Sequence, residues 1–174
     1  MRFLATILLF LTIGFVHETV AYDSAASEKN AVQPAPNGIS IPAGYKDWRV
    51  IATAHRTDNN TLRVILGNDL AVEAARSGKT NPWPEGAVLA KIVWKQKNDE
   101  NWAAAHVPAA LAHAEFMIKD SKKYAGTGGW GYARWIGMDQ KPYGKDANFA
   151  QECVGCHTPV KSMDYVFTRP APLP

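Results

Sequence analysis

Apolar and polar residues alternate along much of the chain between residues 39 and 137, which predicts a protein built mainly of β-strands. Two β-rich runs, at 48–57 and 61–67, are separated by the turn sequence Asp58-Asn59-Asn60 and predict a hairpin. The same alternation predicts three further strands, at 87–95, 114–118 and 129–137.

Shorter segments have helical character. Asn68 or Asp69 can cap a short helix, DLAVEAARS, and Asn148 can cap a second one, FAQECVGC. The alanine-rich stretch 103–112 is also helix-like in composition, although Pro108 interrupts it. About five strands with two or three short helices predict an α+β fold, mainly an antiparallel sheet, whose last helix carries both cysteines.

Composition divides the chain into four parts. Residues 1–21 combine a positive start, an apolar run and small residues before a plausible cleavage site, and they predict a secretory signal peptide. An uncleaved N-terminal anchor is the alternative, although the run is short for a membrane span. Residues 22–38, rich in Ser, Ala, Asn and Pro, predict a flexible tether, followed by one domain at 39–170 and a tail at 171–174. The mature protein is therefore expected in the periplasm and not in a membrane.

Length and charge narrow the classes of protein. The chain has 174 residues, enough for one domain with a core of its own. Its net charge of +3 forms no basic block, so nucleic acid is not an expected partner. Only two cysteines are present, which excludes a scaffold held by several disulfides.

Those two cysteines form a recognisable motif. Cys153-Val154-Gly155-Cys156-His157 has the spacing for covalent attachment of a c-type haem. Cys153 and Cys156 can each bond a vinyl group of the porphyrin, and His157 can then ligate the iron. The pattern predicts one covalently attached haem c, and the predicted export agrees with it. The alternatives are a thioredoxin-like redox pair, a plain disulfide, or a zinc site completed by His55, His106 or His113.

The position of the motif bears on the sixth iron ligand. Only 17 residues follow His157, and Met163 among them is too close to reach the opposite face of the haem. Met117 lies in an apolar strand, where packing is the expected role, and Met138 is the remaining upstream candidate. The sequence therefore predicts a five-coordinate iron with an open side, which suits small-ligand chemistry better than simple electron transfer.

Several segments, taken together, resemble one family, cytochrome P-460 and its relatives the cytochromes c′-beta. They span about 42–169 and are, in order, YKDWRVIAT, TLRVILGN, GAVLAKIV, FMIKDSKKYAGTGGWGYARW, CVGCH and MDYVFTR. The resemblance implies a mainly β domain, usually dimeric, that holds one haem. In the P-460 branch a lysine is bonded to a meso carbon of the porphyrin and hydroxylamine is oxidised. The c′-beta branch lacks that bond and binds nitric oxide or similar gases.

The resemblance points to two residues beyond the haem motif. The lysine that matches the bonded one is Lys91, which also interrupts an apolar strand, where an unpaired ammonium is costly. A bond to the haem is the favoured interpretation, and the alternatives are a lysine that is paired with another group or one that reaches solvent along its stem. Arg63, inside the apolar run 62–66, matches an arginine near the haem pocket, or else faces solvent.

Two functions stay open at this point. The first is an oxidoreductase that takes electrons and protons from hydroxylamine or a related nitrogen compound, and passes the electrons to a small acceptor cytochrome. The second is a protein that binds nitric oxide without turnover. Oxidation needs a proton acceptor, which the sequence does not identify. Residues 141–147 are where a pocket-lining group is expected, and they offer Lys145 and Asp146.

Overall fold

The computed structural model describes residues 32–174, so the predicted signal peptide and residues 22–31 of the predicted tether lie outside the described residues. The elements in chain order are β1 (Arg49–Arg56), β2 (Thr61–Gly67), α1 (Asp69–Ser77), β3 (Val88–Asn98), β4 (His106–Lys119), β5 (Trp130–Ile136), β6 (Lys141–Pro142) and α2 (Phe149–His157). Short 3-10 turns lie at Tyr45–Asp47, Ala125–Thr127 and Thr158–Met163. None of the helices in this part of the chain is long and apolar enough to cross a membrane.

One sheet organises the domain. Its six strands lie side by side in chain order, from β1 to β6, and every neighbouring pair is antiparallel. The only α-helices among the described residues are α1 and α2, and α2 carries both cysteines. The predicted α+β fold is therefore confirmed, as is the hairpin of β1 and β2.

Local signals account for α1. The side chain of Asn68 accepts hydrogen bonds from the amides of Ala71 and Val88, both at 3.0 Å, so it caps α1 and ties it to β3. Gly78 ends the helix with φ of 71°, a left-handed conformation that glycine adopts easily. Asn148 precedes α2 as predicted, but its side chain makes no capping hydrogen bond there.

The prediction of helical structure at 103–112 is wrong, because residues from His106 onward belong to β4. The alanines favour a helix by intrinsic propensity, but pairing of His106–Asn98 through Ile118–Val88 with β3 outweighs that preference. β5 pairs with β4 only from His113 onward, so the first part of β4 is an edge. An edge tolerates Pro108, which has no amide to donate.

The two faces of the sheet pack against different segments. On one face, Ala35 and Ile39 are buried beside Phe116 and Trp135, and Trp135 Nε1 donates to the Gln33 carbonyl at 2.9 Å. Residues 32–38, which composition assigns to the tether, thus pack on the sheet, because Trp135 offers both an apolar surface and a donor. The other face, called the charged face below, packs in part against α1 and the segment around Val166.

Candidate functional site

The motif predicted to attach a haem, 153–157, lies on α2, which Phe149 and Ala150 anchor in the core with 4% and 9% of their surface exposed. Cys153 is half-buried, Cys156 is exposed, and both thiols are free. Burial raises the pKa of the Cys153 thiol. The helix thus presents two reduced thiols one turn apart, as attachment of a haem c requires.

The imidazole of His157 is held in one tautomer. Its Nδ1 lies 2.6 Å from the carbonyl oxygen of Tyr165. Because a carbonyl can only accept a hydrogen bond, Nδ1 carries the proton and Nε2 keeps its lone pair for a metal. Burial lowers the pKa of His157, which favours the neutral ring. The rings of Tyr132 and Phe167 flank it, with centroids at 5.3 and 5.1 Å.

A row of side chains crosses the charged face of the sheet. The register places Ile65, Lys91, Glu115 and Arg134 directly opposite one another on β2 to β5, and directly opposed residues share a face. Lys91 forms an ion pair with Glu115. Arg134 Nε lies 2.7 Å from Glu115 Oε1 and His113 Nε2 lies 3.3 Å from the same oxygen.

Glu115 is the carboxylate at the centre of this row, and its side chain is only 15% exposed. Burial by itself raises the pKa of Glu115, but the positive charges of Lys91 and Arg134, with the hydrogen bond from Lys91, outweigh burial and hold the pKa below its usual range. Glu115 is therefore ionised at neutral pH, and it can accept a proton.

Arg63 lies on the same face as Lys91, one row away along the strands. Its Nη2 donates to Thr61 Oγ1 at 3.0 Å, and burial lowers the pKa of its guanidinium. Arg63 is half-buried on this face.

Two buried side-chain atoms in residues 32–174, Arg63 Nε and Tyr132 Oη, have neither a hydrogen-bond nor an ion-pair partner, and Arg134 Nε has only its ion pair with Glu115. By register all three belong to the charged face. Buried polar groups are normally paired, so the two unpaired atoms on this face leave hydrogen-bonding positions for a bound polar group. The free thiols of α2, the Nε2 of His157 and these unpaired donors together fit a haem c.

The charged side chains of this face also interact electrostatically with the residues of the Cys153–His157 motif. Lys91, Glu115 and Arg134 all act on the pKa values of Cys153 and His157, although burial is the larger influence on both. The structure thus brings the predicted residues Lys91 and Arg63 to the surface that the haem-attachment helix adjoins. Within the described residues no group of three or more His, Cys, Asp or Glu side chains is placed to hold a metal ion by itself.

Glu115 is the residue that sequence reasoning missed. Its signal is a charged residue in the alternating run AEFMI, at the position that faces Lys91 across the sheet. Lys145 and Asp146, from the stretch where a pocket-lining group was expected, are exposed. His113 has no motif around it, yet it is half-buried and contacts Glu115.

The methionines differ in their surroundings. Met117 is partly buried and packs against the core cluster that includes Leu89 and Tyr132, in line with the packing role expected for it. Met138 is 82% exposed. Met163 Sδ lies 3.7 Å from Arg169 Nη2.

Comparison with known proteins adds one finding to this geometry. The model of a family described as Cytochrome P460 matches residues 42–168, most of the chain, and the match includes the sheet and α2. No curated protein matches the chain.

Proposed function

The chain belongs to the cytochrome P460 family and is a haem c protein, and from that premise we propose that it oxidises hydroxylamine or a related small nitrogen compound in the periplasm. Cys153 and Cys156 would hold the haem covalently, and His157 would ligate the iron through Nε2. A haem held there would supply an iron that binds the nitrogen compound and takes up its electrons.

The proposal depends on Glu115 as the general base. Oxidation of hydroxylamine releases protons together with electrons, so the site needs a base beside the substrate. Glu115 is a buried carboxylate that stays ionised at neutral pH, on the face to which α2 is adjacent. In this role Glu115 takes a proton from the N–H or O–H group of the bound substrate.

The neighbours of Glu115 support this role. Arg134, with its Nε 2.7 Å from Glu115 Oε1, holds the carboxylate in place. His113, 3.3 Å from the same oxygen and partly open to solvent, can pass the proton outward. Arg63, with its unpaired buried Nε, is left to bind a haem propionate or an oxygen of the substrate.

Lys91 connects the base to the haem in this proposal. Its side chain is 29% exposed and contacts Glu115. If the amine is bonded to the porphyrin, it is no longer an alkylammonium, and Glu115 loses the largest of the positive charges that lower its pKa. The carboxylate then becomes a stronger base. The bond would therefore raise the basicity of Glu115 as well as alter the electronic properties of the haem.

The electrons need an acceptor, and we propose a small acceptor cytochrome for that role. A homodimer stays a prediction from the resemblance to the family.

The test uses haem-loaded protein made with haem-maturation machinery, with hydroxylamine as the substrate and a redox dye as the acceptor. Because a general base contributes about 10²–10⁴-fold, Glu115→Gln should lower kcat by at least about 100-fold while the haem still binds nitric oxide. Glu100→Gln is the matched control, because Glu100 is 84% exposed and undergoes the same chemical change. We expect Glu100→Gln to match the wild type.

Two results would contradict the proposal. If the wild type binds nitric oxide but hydroxylamine never reduces the dye, the protein is not a hydroxylamine oxidoreductase, and gas binding without turnover is the function that remains. If Glu115→Gln retains wild-type kcat, Glu115 is not the base. Peptide mapping by mass spectrometry separately shows whether the Lys91 peptide is bonded to the peptide that carries Cys153 and Cys156.

A further inference from the structure

The segment that follows α2 has an unusual backbone. Asp164 and Tyr165 both adopt positive φ, at 53° and 62°, and neither is a glycine. The left-handed conformation is unfavourable for a residue with a Cβ, so two such residues in succession persist only where their surroundings hold them. The carbonyl of Tyr165 is the group that accepts the hydrogen bond from the Nδ1–H of His157.

Asp164 is held from several directions. Its carboxylate accepts from Lys119 Nζ at 2.7 and 2.9 Å, and its Oδ2 also accepts from the Trp83 amide at 2.8 Å. Its carbonyl accepts from Trp130 Nε1 at 2.8 Å. Asp164 thus links the end of β4 and the start of β5 to the chain beside the haem helix.

This ion pair is buried, since the side chains of Lys119 and Asp164 are only 5% and 10% exposed. Lys119 Nζ also lies over the Trp130 ring, 5.1 Å from its centroid. Buried ion pairs contribute little net stability, because removing two charges from water offsets most of their attraction. A role in geometry accounts for this one better than a role in stability.

We propose that Lys119 and Asp164 are positioning residues for the axial histidine. The pair fixes the left-handed backbone at 164–165, which aims the Tyr165 carbonyl at His157 Nδ1. That hydrogen bond sets the tautomer and increases the electron donation of the imidazole to the iron. This inference rests on the proposed function in one respect only, that His157 ligates the iron.

The experiment compares haem-loaded wild type with Asp164→Asn. Asparagine also accepts positive φ and can keep the hydrogen bond from the Trp83 amide, so the change removes chiefly the ion pair. Asp69→Asn is the matched control, because Asp69 pairs with Arg49 at the surface and is 97% exposed. Lys119→Arg keeps the charge and serves as the conservative variant.

Two measurements report on the iron–histidine bond without turnover. In Asp164→Asn we expect the ferrous iron–histidine stretching band in resonance Raman spectra to broaden and move to lower frequency, and the reduction potential to rise. Asp69→Asn should reproduce both wild-type values, and Lys119→Arg should lie closer to wild type than Asp164→Asn does. Unchanged band and potential in Asp164→Asn would overturn the proposal.

If Asp164→Asn does not accumulate, Lys119→Gln is used for the same measurements, because glutamine can still donate a hydrogen bond to Asp164. If neither variant accumulates as a haem protein while Lys119→Arg does, the pair is purely structural and the proposal fails. A wild type with no iron–histidine band overturns the assignment of His157 instead. None of these measurements depends on hydroxylamine turnover, so they can fail or succeed independently of the proposed oxidation of hydroxylamine.

Discussion

Gly128 lets two parts of the haem-ligand region approach closely, and its replacement by alanine should be strongly destabilising. Gly128 has φ of 71°, and a Cβ there would lie 2.5 Å from the ring of Tyr165. Left-handed backbone costs an alanine about 1–2 kcal/mol, and overpacking adds about 1–3 kcal/mol. We expect Gly128→Ala to lower the free energy of unfolding by about 2–5 kcal/mol, measured by urea denaturation of haem-loaded protein followed by circular dichroism.

Two other glycines separate these causes. Gly78 has the same φ of 71° but open space around it, so Gly78→Ala should lose only about 1–2 kcal/mol. Gly126 has neither a positive φ nor a neighbour within 4 Å, so Gly126→Ala should stay within about 1 kcal/mol of wild type. If Gly128→Ala loses no more than Gly78→Ala, contact with the Tyr165 ring does not constrain this region and the reasoning is refuted.

Three further predictions concern the charged face and the helix caps. The folded-state pKa of Glu115 is depressed, so its charge stabilises the fold above the unfolded value of 4.5, and this stability is lost as the pH falls through the lower, folded-state pKa. In urea denaturation between neutral and acid pH, the free energy of unfolding should therefore fall more steeply for wild type than for Glu115→Gln. Parallel plots of that free energy against pH would contradict this. Asn68→Ala should cost about 1–2 kcal/mol in the same assay and Asn148→Ala less than about 0.5 kcal/mol, because only Asn68 makes capping hydrogen bonds; equal losses would rule out capping as the cause. His113→Phe should slow hydroxylamine-dependent dye reduction several-fold without changing nitric oxide affinity, and an unchanged rate would exclude His113 from the proton path.

Features with local causes were predictable from the sequence. The hairpin of β1 and β2 follows from a turn sequence between two alternating runs, and α1 follows from Asn68 before it and Gly78 after it. The haem-attachment motif is local as well, since its meaning lies in five consecutive residues. In each case the atoms that interact are close in the chain.

Features set by pairing between distant segments were not predictable. The first part of β4 has the composition of a helix, and only its partner β3 makes it a strand. Glu115 becomes a candidate base once the register places it opposite Lys91. Lys119 and Asp164 are separated by 45 positions, and neither carries a local signal for the ion pair that joins them.

The agreement between strand order and chain order has a consequence for how the molecule assembles. Every strand after β1 pairs with the strand that precedes it, and the longest connection between paired strands, residues 68–87, includes α1, so no pairing has to wait for a distant part of the chain. The sheet can therefore grow one hairpin at a time as the chain becomes available, before α2 is needed. The cysteines then arrive at a surface whose charged residues are already in register. On the proposed function, haem attachment at Cys153 and Cys156 would therefore follow formation of the sheet, and the haem would bind a domain that is already largely folded.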